Sequence, residues 1–76
     1  MKSLINRITI HPEILHGKPC VRGMRWSVEM ILDMLGSGMS TTQIIEDHPE
    51  LSEEDILACL QFAKFYVSGQ LIREAS

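Results

Sequence analysis

Long hydrophobic runs are missing from this 76-residue sequence. A membrane-crossing helix needs roughly 18 consecutive apolar residues, and no segment approaches that, so no membrane partner is expected. The N-terminus lacks the apolar core of a secretory signal, which points to the cytoplasm. Cysteine is scarce: Cys20 and Cys59 are too few for a disulfide scaffold and lack zinc-site spacing. A phosphate-binding glycine loop, a paired-carboxylate signature and a nucleophile elbow are also absent, so neither enzyme activity nor a cofactor is expected. His11, His16 and Cys20 lie close together but match no metal motif, and Pro12 and Pro19 stiffen the backbone between them. The two histidines read as turn residues and no metal is expected.

What is present is a globular composition, 45% apolar and 22% charged, in a length that allows one domain over residues 1–76. A domain this small hides so much apolar side chain with difficulty. A second copy or another protein is expected to cover the excess, which makes a homodimer the expected state. Charge is distributed unevenly. Residues 1–26 hold five cations against Glu13, a net of +4, while residues 27–76 hold two cations against nine acids, a net of −7. A basic arm on an acidic body suits nucleic acid, an acidic protein, or a neighbouring protomer. The formal charge of −3 for the whole chain argues against strong non-specific DNA binding.

Along the chain, Arg7-Ile8-Thr9-Ile10 alternates and is β-branched, predicting a short strand with Ile8 and Ile10 inward, ended by Pro12. His16-Gly17-Lys18-Pro19 is a turn in which Gly17 is free to take positive φ. Cys20-Val21-Arg22 predicts a second strand, closed by Gly23. From Ser27, an N-cap, the apolar period becomes helical through Val28, Ile31, Leu32 and Leu35, until Gly36-Ser37-Gly38. Ser40-Thr41-Thr42-Gln43 is a capping box opening a helix that buries Ile44 and Ile45 and stops at His48-Pro49. Ser52, followed by Glu53, Glu54 and Asp55, starts a third helix with its stripe on Ile56, Leu60, Ala63 and Val67. Leu57 and the small, buried Cys59 flank that stripe, and Gly69 is the expected stop. The division is therefore a basic β arm over 1–26, a three-helix bundle over 27–68 and a tail over 69–76.

Three short helices joined by tight, glycine-containing turns have the spacing of a helix-turn-helix. The third helix would be the reader, yet its first residues are Glu53, Glu54 and Asp55, which repel phosphate and offset the helix dipole instead. Any DNA contact therefore falls to Lys18, Arg22 and Arg25 in the arm. Phe62, Phe65 and Tyr66, spaced i, i+3 and i+4, form an apolar face offset from the main stripe. That face is covered by the chain's own strands, a second copy or a partner protein.

The stretches Arg7-Ile8-Thr9-Ile10-His11-Pro12-Glu13-Ile14 and His16-Gly17-Lys18-Pro19-Cys20-Val21-Arg22-Gly23 belong to a wider pattern. It continues through Val28-Glu29, Leu35, Gly38-Met39-Ser40, Ile44-Ile45, Pro49 and Asp55-Ile56. Over about residues 4–66 this resembles domain of unknown function family 433, small prokaryotic proteins, with the G-K-P-x-V-R-G run the most specific part. The resemblance implies a mainly α, homeodomain-like three-helix (helix-turn-helix) fold with a short N-terminal β arm. It further implies an antitoxin-like protein that neutralises a small PIN-like ribonuclease toxin and regulates its own operon. The alternatives are a DNA-binding transcriptional regulator without a toxin and a structural interaction module. Met24, Trp26 and Ser27 stand where the family more usually has Thr, an aliphatic residue and Pro. Ser27 still caps the helix, and Trp26 enlarges an apolar contact there. By the same resemblance, the tail residues Leu71, Ile72 and Arg73 are expected to dock on the toxin. Ile8, Ile10, Trp26, Phe62, Phe65 and Tyr66 complete the expected partner or dimer surface.

Overall fold

Pairing within the chain disposes of the basic arm. The computed structural model describes the backbone of residues 3–75 and the side chains of residues 3–69. In it, strand β1 (Ile8–Thr9) pairs antiparallel with β2 (Cys20–Val21), Ile8 opposite Val21 and Thr9 opposite Cys20. The far edge of β2 is bonded as well, by a bridge from Cys20 to Ser27, and the Val21 N–H donates to the Trp26 carbonyl at 2.9 Å. A two-residue ribbon is unstable alone; here β2 is bonded on both of its edges, and Cys20 and Val21 are buried. Arg22 and Gly23 turn the chain with φ of +48° and +72°, and the Met24 N–H closes the turn on the Val21 carbonyl at 2.8 Å. Positive φ at both central positions is the pattern of a type I′ turn. In the left-handed region glycine is comfortable, whereas Arg22 carries strain of about 1–2 kcal/mol.

Three helices follow: α1 (Val28–Gly36), α2 (Thr41–Asp47) and α3 (Glu53–Ala75). Each begins as its local chemistry predicts. The Ser27 Oγ accepts from the Met30 N–H at 3.0 Å, and Ser40 and Gln43 form a reciprocal capping box at 3.1 and 2.8 Å. Ser52 and Asp55 do the same for α3, at 3.3 and 3.0 Å. The core lies where the three helices meet β2: Val21, Val28, Ile31, Ile44, Leu51, Ile56 and Cys59, with Trp26, Leu32, Leu35 and Phe62 packed around them. No helix among the described residues is long and apolar enough to cross a membrane.

Three expectations are corrected. Ile10 is exposed rather than inward, because β1 ends at Thr9 and nothing holds residue 10 against the core. The buried stripe of α3 runs through Asp55, Ile56, Cys59 and Phe62, leaving Leu60 and Val67 largely exposed. Turning Asp55 inward sets that rotation. Gly69 does not stop α3, which continues to Ala75; glycine in an exposed helix costs only about 1 kcal/mol, and no proline follows to break the helix.

Candidate interaction surface

Most cations of the arm are held by acids of the same chain. Arg22 grips Asp55 with two charge-assisted bonds, Nε to Oδ1 at 2.9 Å and Nη2 to Oδ2 at 2.8 Å, and also donates to the Glu50 carbonyl at 3.2 Å. Arg7 reaches the same carboxylate at 2.9 Å and Glu54 at 2.9 Å. Lys18 pairs with Glu29 at the start of α1 at 3.0 Å. Of the three expected DNA contacts, Arg25 alone is exposed with no ion pair formed among the described residues. Asp55 is fully buried. Burial would raise its carboxyl, but Arg22, the Ser52 N–H and Arg7 together outweigh it and hold the group at about 2. Asp55 is thus the clasp that fastens the hairpin to α3. In the sequence it is one of three dipole-offsetting acids, and its place three residues after Ser52, the N3 position of a capping box, is the signal that sets it apart.

The remaining polar groups near the hairpin are structural. The Trp26 indole meets His48 edge to face at 4.6 Å, and its Nε1–H donates to the Glu50 carboxylate at 2.9 Å. That bond holds the Glu50 carboxyl below its ordinary value. Burial pushes the Cys59 thiol up to about 12, with the negative charge of Asp55 adding to it, and burial also raises Cys20. Both thiols stay protonated near neutral pH, and neither is an activated nucleophile.

The apolar surface is concentrated at the distal part of α3. At 1.5 Å per residue this 23-residue helix is about 35 Å long, far longer than α1 or α2. Phe65 is 73% exposed, Tyr66 57% and Val67 51%. Successive residues on a helix are about 100° apart, so these three point around more than half of its circumference. On one side, Tyr66 and Val67 join Phe62 as the wall of an open groove of about 500 Å³, whose other wall is Val28 and Leu32 of α1 with Pro19. The Lys18–Glu29 ion pair sits on its rim. On another side, Phe65 follows one turn after Gln61, whose Oε1 accepts from the Leu4 N–H at 2.8 Å. Of the expected partner surface, Phe62 and Tyr66 share the groove wall while Phe65 faces another side, Ile8 and Trp26 pack against the core and Ile10 stands apart. The side chains of Leu71, Ile72 and Arg73 lie outside the described residues. Pro19 and Leu32 were missed as surface residues because the groove joins three separated segments, which leaves no local signal.

The molecule is thus a mainly helical protein of three helices and a small two-stranded antiparallel sheet, with exposed apolar side chains at Phe65, Tyr66 and Val67 of α3. The model of the family described as "Protein of unknown function (DUF433)" matches residues 8–63, and the chain belongs to that family. It is also similar to the crystal structure of a DUF433 member protein from Anabaena variabilis ATCC 29413. That likeness has a TM-score of 0.75 at 25% identity and covers 91% of this chain and 67% of that one. Among curated proteins none matches.

Proposed function

We propose that this chain is an antitoxin-like binding protein of the cytoplasm, which holds and neutralises a small PIN-like ribonuclease through the Phe65 side of α3. The observation that carries the reading is Phe65 itself, the most exposed large apolar residue described, on a helix segment where Phe65, Tyr66 and Val67 are all more than half exposed. An aromatic anchor presented on a rigid helix is a frequent centre of a protein interface. On the sequence, Leu71 and Ile72 add an apolar anchor to this contact, with Arg73 or the basic arm pairing with the clustered acids that a metal-dependent nuclease carries.

Charge supports protein over DNA. A helix-turn-helix reading of the sequence makes α3 the reader, yet the start of α3 exposes Glu53 and Glu54 where a reader helix meets phosphate. Arg7, Arg22 and Lys18 are engaged by acids of the same chain. Of Lys18, Arg22 and Arg25, Arg25 is left for DNA contact and autoregulation, the secondary reading. The test is inhibition: added in equal amount to the ribonuclease with which it co-purifies, the chain should abolish RNA cleavage, and the Phe65→Glu variant should not. Unchanged cleavage with wild-type chain contradicts the proposal.

A further inference from the structure

The groove between α1 and α3 lies on the side of α3 away from Phe65, and a different occupant suits it. We infer that the groove is closed by a second copy of this chain, the two copies related by a two-fold axis and each placing Tyr66 against the other's Leu32 and Phe62. The inference rests on the reading that the end of α3 is an interface, and it assigns that interface's second face.

A two-fold contact requires one patch to be its own complement, in shape and in charge. Adjacency serves the shape requirement. Tyr66, more than half exposed, stands beside a recess of about 500 Å³ that it helps to wall, so a projection and a hollow share one face. The charge requirement is met at the rim. Lys18 and Glu29 stand there 3.0 Å apart with exposed side chains, one of each sign. Under a two-fold, Lys18 of one copy approaches Glu29 of the other, and the ion pair within the chain is shared or exchanged across the interface at no change in net charge. A rim of single sign would repel itself; this one does not. A strongly charged partner, by contrast, finds no net charge here to steer it. The formal charge of −3 per chain opposes association only weakly. Closure also removes from water an aromatic side chain on each copy, worth on the order of 100 Å² of exposed apolar area apiece.

The experiment is sedimentation equilibrium of the pure full-length chain across the micromolar range. Wild type should show a concentration-dependent mass rising to twice that of the chain. Tyr66→Glu should weaken dimerisation at least tenfold while leaving the far-ultraviolet circular dichroism unchanged, since residue 66 lies outside the core. Lys18→Glu should weaken it several-fold, and Lys18→Glu combined with Glu29→Lys should restore it. Phe65→Glu should leave the dimer intact. A wild-type chain that remains monomeric throughout overturns the inference, as does a dimer that Tyr66→Glu does not touch. A monomeric chain that still inhibits a ribonuclease through Phe65 overturns this inference alone and leaves the antitoxin-like reading standing.

Discussion

Asp55 has no accessible surface, and the two arginines that hold it come from positions 33 and 48 residues earlier in the chain. Removing one member of such a cluster leaves buried charge without its partner. Asp55→Ala should therefore lower unfolding stability by about 3–5 kcal/mol, read by urea denaturation. The same clasp sets the acid response. The Asp55 carboxyl is lowered from an ordinary value near 3.8 to about 2 on folding, so its contribution is full above the unfolded value. As pH falls from about 4 through about 2 the folded state loses roughly 2 kcal/mol relative to the unfolded state, by proton linkage. Urea midpoints should drop over that window in the wild type, and Asp55→Asn should show a flatter profile there.

At the scale of the element, the parts legible in the sequence were those determined by near neighbours. Caps at Ser27, Ser40 and Ser52, the stop at His48-Pro49 and the positive φ of Gly17 all follow from chemistry within three or four residues, and all are present. Ser40→Ala should cost α2 about 1 kcal/mol of stability in thermal unfolding, because it removes one half of the capping box. The rotation of α3 was not legible. Apolar period alone favoured Leu60 and Val67 for the inside, while the observed face depends on where Arg7 and Arg22 deliver their charges. The end of α3 was misread for a related reason: glycine is a weak stop when its φ stays helical, and Gly69 is not among the residues with positive φ. Gly69→Ala should accordingly raise helix content and stability by up to about 1 kcal/mol, measured by circular dichroism.

For the whole molecule, the sequence showed a basic arm and an acidic body, and the fold lays one on the other. That neutralisation is intramolecular, an arrangement that charge counting, which leaves nucleic acid, an acidic protein and a neighbouring protomer equally open, does not single out. The aromatic cluster at Phe62, Phe65 and Tyr66 was legible as a surface, but not the division of its roles. Phe62 is drawn into the core and groove wall, and Phe65 and Tyr66 face different sides. The family resemblance read from G-K-P-x-V-R-G is matched by the family model over residues 8–63, and several of those residues build the clasp and the hairpin turn.

The central claim is that the exposed Phe65 side of α3 is a protein-binding element while Arg7, Lys18 and Arg22 of the arm serve the fold. The direct measurement is a tagged pull-down from the native host after nuclease treatment, comparing wild type with Phe65→Glu and washing in rising salt. The account predicts a stoichiometric small ribonuclease retained through the salt series by wild type and lost from the variant. Recovery of the bare chain alone, with DNA binding that falls steeply with salt and depends on Arg25, would contradict it.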